Sequence, residues 1–405
     1  MEEYKTYTLE EISKGKGTYG IAASAVEYDP ALHTYLRITD INDDGTLNKS
    51  GLMSVDEDNA NDYLLKPNDI VFARTGNSTG RAYFYDGSDG ELVFAGFLIK
   101  FSLDSKKVNP RIIKYYTHSK PYYDWVQSFD TGGTRGNINA KTYGNMPIVL
   151  PSRSTQDKIV EILKFIDDKI DVNKQINDNL EKQAYSLFTS WFVDFEPFKY
   201  GEFVESELGM IPKGWSVGSL SDVANVTMGT SPAGSSYNVI GEGDVFYQGR
   251  AEFGFRFPTR NMYTTEAKRF AEIDSVLLSV RAPVGDVNVA EERCCIGRGL
   301  ASVQSKVGNN SFMLYLMQNL RPVFDRFNGE GTVFGCINKK ALEDLTILIP
   351  DKGTMDRFDV VCSKMDGQIK ILNQESRRLA QLRDSLLPRL MSGELKVNEI
   401  ENINC

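Results

Sequence analysis

TQDKIVEILKFIDDKIDVNKQINDNLEKQAYSLFTSWFVDF, residues 155–195, contains neither proline nor glycine, and the spacing of its apolar positions decides the architecture. Ile159, Ile166, Asn173, Leu180 and Leu187 recur every seventh residue, flanked by Leu163, Ile170, Ala184 and Trp191. That repeat keeps one narrow stripe of a helix turned toward a partner helix, so it reads as a coiled-coil seam with one polar position, Asn173. Ser154 with Asp157 supplies the start signal. A second stretch repeats the pattern with Phe358, Met365, Leu372, Leu379 and Leu386, flanked by Cys362, Ile369 and Leu390. Gly367 lies inside it, and Pro388 marks its end or a kink. At about 1.5 Å per residue, each helix is roughly 50 to 60 Å long.

Leu187 and Leu386 are 199 residues apart, and the same offset relates Asn139 to Asn338 and Pro151 to Pro350. Gly133-Thr134, Ile138-Asn139 and Lys141 return as Gly331-Thr332, Ile337-Asn338 and Lys340. Two copies of one unit therefore make up the chain. Earlier in each copy, Asp69-Ile-Val-Phe-Ala-Arg74 ending at Gly80 parallels Asp274-Ser-Val-Leu-Leu-Ser-Val-Arg281 ending at Gly285, with a small insertion. Both read as a strand that stops at an arginine and feeds a turn. Each copy opens on a short helical or mixed element, Leu9 to Lys14 or Leu220 to Thr227. The fold class is thus α/β (α+β), with residues 1–151, 152–196, 197–350 and 351–393 as module, helix, module, helix, and 394–405 as a tail. The first helix leads from one module to the other, and the second buries its seam against the first only by running back. The pair is therefore expected to be antiparallel, relating the halves by a pseudo-twofold axis.

A chain of 405 residues with 41% hydrophobic and 25% charged side chains is long enough for two or three ordinary cores. No stretch approaches the roughly 18 apolar residues of a membrane span, and Met1 leads into Glu2-Glu3, so the expectation is a cytoplasmic protein without a membrane partner. Five cysteines, with Cys294 and Cys295 adjacent and Cys336, Cys362 and Cys405 scattered, form neither a disulfide framework nor a zinc spacing. Of the net charge of −9, nearly all sits in residues 1–62, where thirteen acidic side chains face five basic ones. The remainder is near neutral, and net charge alone argues neither for nor against nucleic acid.

Chemistry-bearing motifs are thin. Gly15-Lys-Gly-Thr-Tyr-Gly20 has the spacing of a dinucleotide-binding turn, but Leu9-Glu-Glu-Ile-Ser-Lys14 ahead of it is polar and helical in pattern, not a buried strand. A flexible loop is the plainer reading. Pro350-Asp351 and Glu394-Leu-Lys396 imitate a metal nuclease, yet stand at opposite ends of a helix, where carboxylates cannot converge on one ion. His33 and His118 have no second ligand at useful spacing, and no G-x-x-x-x-G-K-[ST] loop occurs. The sequence therefore predicts a non-catalytic chain with no metal or cofactor of its own.

Ser186-Leu-Phe-Thr-Ser-Trp-Phe-Val-Asp-Phe-Glu-Pro-Phe198, Glu207-Leu-Gly-Met-Ile-Pro-Lys-Gly-Trp215 and Leu386-Leu-Pro-Arg-Leu-Met-Ser-Gly-Glu-Leu395 resemble junction and tail sequences of specificity (S) subunits of type I restriction-modification systems. Val280-Arg-Ala-Pro-Val-Gly285 resembles a segment inside their target-recognition domains, and the resemblance spans the chain. One departure is Gly76-Asn77-Ser78, which stands in the first copy where the second has Ala-Pro-Val. The resemblance implies two target-recognition domains held apart by the helices, each reading half of a split double-stranded DNA site. It also implies two modification (methyltransferase) subunits and restriction (translocase-nuclease) subunits as partners, with S-adenosylmethionine, ATP and magnesium bound by those partners. A free-standing coiled-coil DNA-binding protein or repressor is the alternative.

Arginine, asparagine and glutamine on loops make paired hydrogen bonds to base edges, whereas lysines and backbone amides mainly hold phosphates. The candidates are Arg74, Asn77 and Ser78; Thr134, Arg135, Asn137 and Asn139; and Gln248, Arg250, Arg281, Thr332 and Asn338. Arg74 and Arg281 also have a structural reading, as caps of the loops they begin. Trp191-Phe-Val-Asp-Phe195 reads as a helix end packing on the second module, compatible with a partner docking there.

Overall fold

A computed structural model describes residues 4–129, 136–328 and 335–397. It divides into two compact units, Met1–Asp171 with Glu375–Cys405, and Val172–Gln374. Each unit holds one module of strands and short helices together with a stretch of both long helices.

In the first unit a four-stranded antiparallel sheet runs Thr18–Tyr19, Leu98–Ser102, Asp69–Ala73, Ala82–Tyr85. Every residue of Asp69–Ala73 is buried, as expected of an apolar, β-branched run at the centre of a sheet. A second sheet contains His33–Leu36 parallel to Leu92–Phe94, and Lys5–Thr8 pairs with Pro147–Leu150 to join the two ends of the module. The second unit repeats this plan. Its four-stranded sheet runs Ala224–Met228, Leu300–Ser305, Val276–Ser279, Val287–Val289. Asp244–Tyr247 lies parallel to Cys294–Ile296, and Ser216–Ser219 pairs with Thr346–Ile349. Two glycines mark the same crossing: a Cβ on Gly20 would stand 2.2 Å from the Phe94 carbonyl oxygen, and one on Gly229 the same distance from that of Gly297.

The long helices are Arg153–Phe192 and Lys352–Ser392. The first is capped two residues before the expected Ser154, by Ser152, whose carbonyl accepts from Gln156 N (2.9 Å) and whose Oγ accepts from Thr155 N (3.4 Å). Asp351 caps the second, its Oδ1 accepting from Thr354 N (3.0 Å), while Trp215 Nε1 donates to Oδ2 (3.2 Å). The carboxylate that imitated a nuclease residue is thus spent on a helix end. Pro388 does not end the second helix, which continues to Ser392 and closes at Gly393 with a left-handed φ of 76°.

The seam holds in part. Ile159, Ile166, Asn173, Phe358 and Leu372 are buried. Leu180, Leu187, Met365 and Leu386 are only partly buried against the cores, and Leu379 is half-buried. Of the flanking positions Leu163, Ala184, Cys362, Ile369 and Leu390 are buried as the pattern asks, and Phe188, Phe192 and Leu387, outside it, are buried as well. A straight helix drifts by about 20° per heptad, and these ends pack on a globular module as well as on a helix. Asn177 adds a second buried polar position beside Asn173. Within the first unit Arg383 Nη1 meets Asp167 Oδ1 (3.0 Å) and Lys169 Nζ meets Glu375 Oε2 (3.5 Å), so partner numbers fall as helix numbers rise, the antiparallel sense. In the second unit Phe192 packs on Phe358 (ring centroids 5.1 Å) and Trp215. The Trp191–Phe195 stretch is accordingly a helix end embedded in the module's aromatic core.

Candidate nucleic-acid interface

At the end of strand Asp69–Ala73, the Arg74 amide donates to the Phe97 carbonyl (3.1 Å) and its own carbonyl accepts from Ile138 N (3.0 Å). This pins Arg74 between two loops. Its guanidinium carbon lies 5.1 Å from the centroid of the half-exposed Tyr19 ring, a cation–π arrangement. The Tyr19 hydroxyl accepts from Ala140 N (3.1 Å), the first amide of the helix Ala140–Gly144. Asn139 caps that helix, its Oδ1 accepting from Thr142 N (2.9 Å). Arg74, Asn137 and Asn139 therefore share one edge with Tyr19. The reading of residue types missed Tyr19, although its place next to Gly20, at the close crossing of two backbones, was a usable signal.

The Gly15–Gly20 loop leads directly to this edge. It contains the two-residue strand Thr18–Tyr19 and no helix follows it, and Gly17 and Gly20 are demanded by contact with Phe101 and with the Phe94–Ala95 backbone. Packing accounts for both glycines. Asn77 and Ser78 fall in the 3-10 turn Gly76–Ser78. Ser78 is buried there, and Asn77 lines a hollow with Asp43, Arg81, His118 and Tyr123, apart from Arg74's ring contact. Burial, then Arg383 and Lys114, hold the His118 pKa below its ordinary value, so it is neutral at pH 7. Thr134, Arg135 and Thr332 lie outside the described residues.

The second module builds the matching edge from different side chains. Gln248 follows strand Asp244–Tyr247; its Nε2 donates to Ser231 Oγ (3.1 Å) and its carbonyl accepts from Gly299 N (3.2 Å). Gly299 in turn takes the Val280 amide (2.9 Å), and the Val280 carbonyl accepts from Ile337 N (3.1 Å). Gln248, the exposed Arg281 and Asn338 are thereby brought to one side. Asn338 repeats the cap of Asn139, accepting from Ala341 N (2.9 Å). Exposed Arg298, whose amide donates to Ser231 Oγ (3.2 Å), joins this edge and was not among the candidates. Arg250 does not: its guanidinium is engaged by Asp286, which also pairs with Arg321.

The two arginines that looked equivalent are not. Gly80 N donates to the Ala73 carbonyl and Gly285 N to that of Ser279, each at 3.0 Å, so Ala73 matches Ser279 and Arg74 matches Val280. Arg281 stands one residue further on. Asp274 corresponds not to Asp69 but to Asn68: these are the left-handed residues before the two strands, with φ of 61° and 76°. Tyr19 likewise matches Met228, since they face Ile99 and Ala301 in corresponding strands. The cation–π pair of one module is therefore a Met–Val position in the other.

Among the described residues no group of three or more His, Cys, Asp or Glu is placed to hold a metal ion, and no helix is long and apolar enough to cross a membrane. Burial pushes the Cys294 and Cys362 thiols up to about 12, which leaves them protonated at neutral pH.

Two repeat-related modules, each offering a polar loop edge on a strand framework, define a duplicated recognition protein. The sequence pattern described as the type I restriction modification DNA specificity domain matches residues 1–182 and 212–376, and the chain belongs to that family. It is a DNA target-recognition chain. A putative type I restriction enzyme MjaX specificity subunit of Methanocaldococcus jannaschii is 31% identical over 347 residues, covering 83% of this chain and 80% of that protein. The type I restriction enzyme HindI specificity subunit of Haemophilus influenzae is 22% identical, covering 98% and 100%. The crystal structure of a type I restriction-modification S subunit from M. genitalium shares the fold, with a TM-score of 0.56 at 14% identity and 96% of each chain covered.

Proposed function

We propose that each module reads one half of a bipartite double-stranded DNA site, and that the chain presents the site to two modification (methyltransferase) subunits and to restriction subunits without performing chemistry itself. S-adenosylmethionine, ATP and magnesium belong to those partners, and the assembly works in the cytoplasm. The observation that carries this reading is the duplicated edge: one backbone plan places Arg74 with Tyr19 in one module and Gln248 with Arg281 in the other. Identical side chains would read identical half-sites; different ones suit a split, asymmetric target. Selection of randomised duplexes by the chain assembled with its modification subunits is expected to return two short motifs separated by an unread gap of fixed length. A single uninterrupted motif would overturn the bipartite reading. The isolated chain, given magnesium and S-adenosylmethionine, is expected neither to cleave nor to methylate DNA; activity that persists after removal of trace partners would contradict the non-catalytic role.

A further inference from the structure

The two units share a partly buried polar contact between module and long helix. In the first, the Tyr115 hydroxyl, on the helix Pro110–Tyr116, donates to Asp167 Oδ2 on the first long helix (3.0 Å). In the second, the Tyr315 hydroxyl, on the helix Asn310–Asn319, donates to Asp366 Oδ1 on the second long helix (2.6 Å). The tyrosines are 200 residues apart and the aspartates 199. Tyrosine and aspartate are thus one repeat-related pair.

Around that pair the two units recruit different cations. Asp167 also receives Lys114 Nζ (3.1 Å) and, from the second long helix, Arg383 Nη1 (3.0 Å). Asp366 receives Ser311 Oγ (2.6 Å) and Arg256 Nη1 (3.0 Å). Arg256, a module residue only 3% exposed, extends its Nη2 to Glu181 Oε1 on the first long helix (3.1 Å). Each node therefore ties a module to both long helices at once. The contacts around the second node are rings and aliphatic chains such as Phe188, Phe312 and Phe358, which tolerate sliding and rotation. Charge-assisted hydrogen bonds do not, because each fixes a distance and an angle. Of these charged groups only Arg256 is fully buried and the rest are partly so; keeping a charged, hydrogen-bonded cluster at the same place in both units, where apolar side chains of similar size would pack, points to specification of one pose.

We infer that the Tyr115–Asp167 and Tyr315–Asp366 nodes are orienting clamps: they set the pose of each recognition module on its stretch of the long helices, and through it the gap length accepted between half-sites. The inference rests on the bipartite reading above. Tyr115, Asp167, Arg383, Tyr315, Asp366 and Arg256 are positioning residues that touch no base.

The test uses the full chain assembled with its modification subunits and measures Kd on three duplexes: the preferred gap, and gaps one base pair shorter and longer. Wild type, Tyr115→Phe, Tyr315→Phe, Asp167→Asn and Asp366→Asn are compared, with melting curves to establish folding. The Tyr→Phe pair decides the matter if an aspartate variant does not fold. Discrimination between the preferred and altered gaps is expected to fall by about tenfold, the scale of one charge-assisted hydrogen bond. Discrimination against single-base changes inside the half-sites is expected to stay within about twofold. Folded variants that keep wild-type gap discrimination overturn the clamp, as do variants that weaken all duplexes equally. Wild type lacking any gap preference would instead overturn the bipartite reading, and the clamp with it.

Discussion

At the crossing where the end of the central strand meets the Ile138 or Ile337 loop, the two modules share a backbone and differ in chemistry. The first has Arg74 resting on Tyr19; the second has Val280 and Met228 in the same places, and moves its polar groups to Gln248, Arg281 and Arg298. The strand order, the parallel pair and the close-packed glycines are common to both. Location of the polar edge is thus a property of the scaffold, and its content a property of a few side chains. Two half-sites of unlike sequence can then be read by one duplicated fold.

The largest expected effect concerns where the helices bury their apolar face in the two units. Phe188→Ala, which empties a fully buried site in the second unit, is expected to cost about 3 to 5 kcal/mol. Leu379→Ala, at a half-buried heptad position of the first unit, is expected to cost only about 1 kcal/mol. Chemical denaturation of the two variants checks the contrast; equal losses would restore the strict seven-residue seam.

Acid separates the units further. Asp167 is half of a node in the first: burial raises its pKa, but Lys114 and Arg383 outweigh burial and hold it below the ordinary carboxylate value. Its contribution to stability is present above the unfolded pKa of about 3.9 and is lost as pH falls through the lower folded value. Asp359 in the second unit is the reverse: burial raises its pKa, the Phe312 and Ser311 amides oppose this only in part, and Asp366 and Asp356 add to the rise. Its favourable contribution is complete below about pH 3.9 and is lost as pH rises through the raised folded value. Asp167→Asn is therefore expected to lose stability relative to wild type at neutral pH and to approach it in acid. Asp359→Asn is expected to gain relative to wild type as pH rises. Unfolding free energies from pH 3 to 7 would show curves of opposite slope; parallel curves would refute the assignment.

The smallest effect is a sameness. Asn139→Ala and Asn338→Ala each remove a helix cap of matching geometry, and are expected to cost about 0.5 to 2 kcal/mol each. A change in DNA sequence preference beyond that shared loss would make these asparagines readers as well as caps.

Much of the architecture is legible: the long helices follow from apolar spacing, the 199-residue repeat from recurring positions such as Asn139 and Asn338 or Pro151 and Pro350, and the antiparallel return from the order of modules and helices. The local chemistry was less so. Asn139 and Asn338 carry the residue type of a base reader, but the helix that each begins claims its side-chain oxygen. Arg250 looked like a free loop cation, yet Asp286, distant in sequence, engages it. Arg74 and Arg281 share a residue type and a neighbouring glycine turn, whereas hydrogen-bond register, invisible in sequence, pairs Arg74 with Val280. Tyr19 and Arg298 acquire their places through contacts across strands that no short motif records.

Independent reading by the two modules is tested most directly by the assembled complex and a panel of duplexes, each with one base changed, at two salt concentrations. Arg74→Ala is expected to relax preference at a position in one half-site only, and Arg281→Ala at a position in the other, each by about 1 to 3 kcal/mol for a lost base contact. A residue that holds phosphate would instead weaken every duplex alike and lower the salt slope by about one. Altered preference in the same half-site for both variants would contradict the account.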